Sequence, residues 1–147
     1  MKIFTTNSKI TYEIDEENGL VTAILNDCVV EYAKIMKRAY ARSRLKEADI
    51  STINHRIGKM VAEGVLRDKY SGTAKCCSDD VFDEKIGMEI ARSRAILKRE
   101  LAYAKATQKL FMKAVIESAI FCEISNRRCD KIEATCDILD RYEEDEE

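Results

Sequence analysis

The chain has no proline, no tryptophan and only five glycines among its 147 residues. So little turn chemistry excludes the loop-rich sandwich and barrel architectures, and 46% apolar residues exclude a disordered tail. Neither sign of charge dominates, with 25 Lys and Arg against 27 Asp and Glu, so no domain-wide positive field advertises a duplex nucleic-acid partner. No apolar run approaches the ~18 residues a membrane span requires. The six cysteines lack the C-x-x-C pairs of a zinc site, and the start shows no signal-peptide pattern, so free thiols in a reducing cytosol are expected. There is no Walker loop, no G-x-G-x-x-G and no H-E-x-x-H. The single histidine, His55, has no Cys or Glu partner arranged for catalysis, so the expectation is a protein that is not an enzyme and needs no cofactor or metal.

What is present reads as one predominantly α, α+β domain over residues 1–147, with a small α+β part (1–80), a long helical part (81–140) and an acidic tail (141–147). Ile10, Tyr12 and Ile14 alternate, the run breaks at Glu17-Asn18-Gly19, and Leu20 to Leu25 resume it, which predicts a β-hairpin in a small antiparallel sheet. After Asp27, a natural N-cap, Val29, Tyr32, Ala33, Met36 and Tyr40 fall at helical spacing. A second amphipathic helix follows, capped by Asp49 or Ser51, with Ile53, Ile57, Met60 and Val61 inward and a stop at Gly64.

From Phe82 onward only Gly87 interrupts more than sixty residues friendly to helix. Ile90, Leu97, Leu101, Phe111 and Val115 form an apolar stripe near the seven-residue period, and Cys122, Cys129 and Cys136 continue it as small hydrophobes. A stripe this long needs a partner helix, either the chain's own, folded back near Ser125-Asn126, or one from a second copy; self-association into a homodimer or larger homo-oligomer is the economical reading. The final DRYEEDEE should fray, since carboxylates at a helix C-terminus oppose its dipole.

Two segments bear on function. ADISTINHRIGKMVAEGVLRDKYSGTAKC imitates a winged helix-turn-helix with a wing-like hairpin around Ser71-Gly72, and Arg56, Lys59, Arg67 and Lys69 would offer it a few phosphate contacts; this DNA-binding regulator is the runner-up, and a protein-binding inhibitor acting through the long helix is a third reading. The junction KCCSDDVFDEKIGMEIARSRAILK is richer. Asp79, Asp80 or Asp83 caps a helix, and Phe82 stands at its entry. Arg94, Lys98, Lys105, Lys109 and Lys113 then fall within about 100° of one another, flanked by Ala91, Ala95, Ala102 and Ala106, small residues that leave room for a bound group. A ring that stacks on a base beside cations that neutralise phosphate makes a coherent nucleotide site, although a solvated helix face with Phe82 in the core explains the same residues.

The stretch GTAKCCSDDVFDEKIGMEIARSRAILK, after a hairpin and two helices, resembles small phage proteins with the pattern aKC-x-x-x-D-x-FD-x-x-x-G-x-x-IA-x-x-RA-x-x-K. In length and layout the chain is similar to the Thoeris anti-defence protein 1 family, phage sponges for the cyclic ADP-ribose isomer made by bacterial TIR-domain sensors. The resemblance implies a non-enzymatic anti-defence protein of the infected host's cytoplasm that holds the intact cyclic nucleotide between protomers and starves the Thoeris effector; some family members also hold cyclic oligonucleotides. It implies Phe82 as the aromatic platform, with Arg56, Lys109 and Lys113 toward phosphate and Arg92, Arg94 and Lys98 beside them. The family favours arginine at ladder positions where this chain has lysine, a point charge without the bidentate fork.

Overall fold

A computed structural model describes residues 1–42, 50–77 and 81–146. Among the described residues seven elements follow in order: β1 (Lys2–Thr5), β2 (Ile10–Asp15), β3 (Leu20–Leu25), α1 (Cys28–Arg42), α2 (Ile50–Ala62), β4 (Tyr70–Lys75) and α3 (Glu84–Glu146). The α+β class read from the sequence is the one observed. The chain divides into two compact units, Met1–Ala106 and Thr107–Glu147.

The first unit is built on a four-stranded antiparallel sheet in the order β1-β2-β3-β4. The expected hairpin is β2-β3, with Ile10 opposite Leu25 and Ile14 opposite Val21. Its turn differs from the Asn-Gly expectation in one respect. Gly19 alone takes a positive φ, of 62°, while the Asn18 side-chain amide donates to Asp15 Oδ2 at 2.7 Å and holds the loop from outside. Strict alternation puts Ile10, Tyr12, Ile14, Val21, Ala23, Leu25 and Ala74 on one buried face. Tyr32 of α1, Ile53, Ile57 and Met60 of α2, Leu66, and Ala91, Ala95, Tyr103 and Ala106 of α3 complete the core.

Several expectations are corrected here. Ser71 and Gly72 are no wing-like turn: they lie within β4, paired with Ile24 and Ala23 of β3, because alternating small residues fit an edge strand under a helix. The hairpin that would have made the α2 region a winged helix is therefore not at that place. Val61 is solvent-exposed, since Ile53, Ile57 and Met60 already fill the inward face of α2. Asp27 precedes α1 with φ 55°, and its carboxylate takes Lys9 Nζ at 2.9 Å. Asp49, Asp79 and Asp80 and the side chain of Ser51 lie outside the described residues. Asp83 is the cap of α3: its Oδ1 accepts the Ile86 amide at 3.2 Å. Helix α3 continues unbroken through Ser125-Asn126 to Glu146, so the chain does not fold back there and its acidic end remains helical. After Gly87 it contains neither glycine nor proline to stop it.

A close approach joins β4 to α3. A Cβ placed on Gly72 would fall 2.3 Å from the Ala91 carbonyl oxygen and 2.4 Å from the Ala95 nitrogen. Backbone meets backbone there because Ala91 and Ala95 are the facing residues. Thus Ala91 and Ala95, two of the alanines beside the basic ladder, do not leave space for a ligand; they let the helix sit against the strand. Farther along, the Tyr103 hydroxyl donates to the Cys28 carbonyl at 2.6 Å, and its ring lies 5.0 Å from that of Tyr32. Burial pushes the Tyr103 phenol well above its ordinary range, with the Cys28 thiol a smaller contributor, and burial likewise pushes the Cys28 thiol up.

Two outcomes are expected. Gly72→Ala should lower unfolding free energy by at least about 2 kcal/mol in a urea titration, because neither backbone neighbour can yield. Tyr103→Phe leaves the Cys28 carbonyl without this donor and should cost about 1–2 kcal/mol at neutral pH. An unfolded tyrosine loses its proton above about pH 10 while the folded one keeps it, so the wild type should lose stability as pH rises through that value. Urea midpoints at about pH 8 and about pH 11 should converge between wild type and Tyr103→Phe, since the variant lacks this loss.

Candidate functional site

Where β3, β4 and the start of α3 meet, the first unit has a cavity of about 370 Å³. Its floor is Val21 and Ala74, its rim Cys76 and Cys77, and its wall Phe82 with Ile86 and Ile90 of α3. The cavity follows from local sequence. The Cys76 amide donates to the Gly19 carbonyl at 2.7 Å, extending the β3-β4 ladder by one pair past Lys75 and fixing the point where the chain leaves the sheet. The Asp83 cap then starts α3, and Gly87 lies so near the sheet that a Cβ on it would stand 2.8 Å from Val21 Cγ2. The helix therefore begins close to β3, while Phe82, one residue before the cap, is left half-buried at the crevice.

Phe82 is accordingly neither a sealed core residue nor a surface one. The wall above it is open: Val81 is 93% exposed, Ile86 56% and Ile90 41%. Among the described lining residues only Lys75 and Asp83 carry charge. A crevice of this kind takes a flat apolar or aromatic group and supplies little for phosphate.

The residues read as phosphate contacts are placed differently from one another. Arg94 lies one helical turn beyond Ile90, and its Nη1 donates to the Thr73 carbonyl at 2.6 Å. Arg92 and Lys98 are exposed on α3, and Arg56 is half-buried on α2; none of the three lines the crevice. Lys109 and Lys113 are exposed residues of the second unit. The structure thus joins Phe82 to an apolar crevice, brings Arg94 near its upper end, and does not assemble the basic ladder around it. Of the stripe residues, Ile90, Leu97, Leu101, Phe111 and Val115 are all exposed, Phe111 at 64%.

Sequence reasoning missed Val21, Ala74, Cys76 and Ile86 as lining residues. The Cys76 pairing with Gly19 is a tertiary event with no local signature, although Gly87, the one interruption of a long helical pattern, pointed to a close approach. A second cavity, of about 240 Å³, opens between the start of α1 and Arg99 and Tyr103. Its charges are largely spent on each other, Lys9 on Asp27 at 2.9 Å and Arg99 on Glu100 at 2.9 Å. Among the described residues no group of three or more His, Cys, Asp or Glu side chains is arranged to hold a metal ion, and no helix is long and apolar enough to cross a membrane.

Comparison with family models, curated proteins and solved structures finds no match to this chain.

The crevice rim should be chemically accessible. Treatment of the native protein with iodoacetamide should modify Cys77 rapidly and leave the buried Cys28 unmodified until denaturant is added, as read by peptide mass spectrometry. Equal labelling of both would show that the first unit opens readily.

Proposed function

We propose that the chain is a binding protein that captures a small cyclic nucleotide, of the cyclic ADP-ribose type, and releases it unaltered, acting as a phage anti-defence sponge in the cytoplasm of the infected host. The observation that carries this reading is the position of Phe82: half-buried in a cavity of about 370 Å³, within the ~300–1,000 Å³ range of small-molecule sites. An aromatic face among Val21, Ala74, Ile86 and Ile90 suits a nucleobase, whose stacking on such a ring contributes about 1–3 kcal/mol.

The outer wall of the crevice supports a site shared between protomers. Ile86 and Ile90 line it and are exposed at the same time, and Leu97 and Leu101 extend the same apolar flank of α3 within the first unit. A second copy covering that flank closes the crevice. Phosphate then has Lys75 at the rim and Arg94 one turn above, where one guanidinium N–H is used at Thr73 and others remain for an anion. Arg56, Arg92 and Lys98 join the site only through such a neighbour. The assignment of Lys109 and Lys113 rests on the resemblance alone.

The test is calorimetric titration of the full-length protein with cyclic ADP-ribose, followed by heating and mass spectrometry of what is released. Intact ligand should be recovered. Phe82→Ala should weaken binding about 10- to 100-fold, the equivalent of one lost stacking contact, with the assembly's mass by light scattering unchanged. Unchanged affinity in that variant, or recovery of a hydrolysed product, overturns the proposal.

A further inference from the structure

Between Leu110 and Ile124 helix α3 is apolar almost all round, and no residue of 107–144 is buried. With 100° per residue, an uninterrupted arc runs from Leu110 and Phe121 through Phe111 and Val115 to Met112, covering about 200° with Ser118 its one polar member. A two-stranded coiled coil buries only a narrow seam of roughly two positions in seven. An arc twice that width needs a neighbour on each side, which is the situation of a helix in a four-helix bundle.

Charge identifies the neighbour. Residues 85–115 carry eight Lys and Arg against two Asp and Glu, whereas residues 117–147 carry four against eleven. Positive charge in the first half and negative in the second oppose the helix dipole, so the arrangement is unfavourable within one helix. It becomes favourable when a second copy runs antiparallel about Ile116. Parallel copies would set like against like.

The edges of the arc fit this pivot to within one residue. On one edge stand Lys113 and Glu117, on the other Lys109 and Glu123. Turned about Ile116, each edge meets its own copy with opposite charges facing: Lys113 near Glu117 of one neighbour, Lys109 against Glu123 of the other. The apolar residues inside each edge match too, Leu110 with Phe121 and Met112 with Ala119. Two different self-complementary edges on one helix are what two perpendicular two-fold axes require.

We infer that residues 107–124 assemble four copies of this chain into an antiparallel bundle with two-fold symmetry about Ile116. Lys109 and Lys113 are then ion-pair partners between copies. The inference stands whether or not the Phe82 crevice binds a nucleotide.

Light scattering of the full-length protein should give four times the 16.8 kDa chain mass. A variant with Met112→Cys and Ala119→Cys, oxidised with diamide and analysed by peptide mass spectrometry, should form bonds between position 112 of one copy and 119 of another. Seven residues apart on one helix, the two are too distant to join within a chain. Lys109→Glu should dissociate the assembly, and Lys109→Glu with Glu123→Lys should restore it, a rescue that loss of folding would not show. A mass of one or two chains, bonds joining 112 to 112 and 119 to 119, or failure of the double charge swap to rescue, each overturns the inference.

Discussion

The first unit depends on one contact: the backbone of β4 against the backbone of α3 at Gly72. Because no side chain intervenes, the helix can occupy only one height above the sheet, the one at which Ala91 and Ala95 straddle the glycine. That register carries Gly87 over Val21 at one end and Tyr103 to the Cys28 carbonyl at the other. The crevice beside Phe82 is a by-product of the same constraint, since a helix held so close at Gly72 and Gly87 leaves its capped start as the place where the sheet is imperfectly covered.

The two units present opposite faces of the hydrophobic effect. In the first, the large buried side chains are apolar or aromatic, and among the described residues no charged or polar residue is buried; the buried Tyr103 hydroxyl has its carbonyl. In the second, large apolar residues are as frequent but none is covered. An isolated helix in water gains little from its own hydrogen bonds, so an exposed apolar surface of this extent is what sets the second unit apart from the first.

How much of this was legible in the sequence depended on the range of the interaction involved. Alternation at Ile10, Tyr12 and Ile14, the Gly19 turn and the periodicity of α1 and α2 are local signals, and they gave the hairpin and both helices. Strand β1 was not delimited, because Lys2–Thr5 is four residues long and mostly exposed, with little pattern to read. Strand β4 was read partly as a turn, since Ser71-Gly72 has turn composition and only its pairing with Ile24 and Ala23 makes it extended. Phe82 was read at the entry to a helix and stands there, but its surroundings come from β3 and the Gly19 turn, some sixty residues earlier, and no spacing rule reaches that far. Ala91 and Ala95 show the reverse case: the pattern was real and its purpose was packing.

The guanidinium of Arg94 has one more consequence. The Cys76–Gly19 bond sets the phase of the β3-β4 ladder, in which Thr73 and Thr22 form a pair that exchanges no backbone bonds, so the Thr73 carbonyl is directed away from β3. That is the acceptor Arg94 occupies. An arginine clamped across the outer margin of β4 makes it a poor template for an incoming extended segment, so sheet growth by strand addition, whether adventitious or amyloid-like, is directed to the opposite margin at β1, where Lys2 and a length of only four residues discourage it in turn.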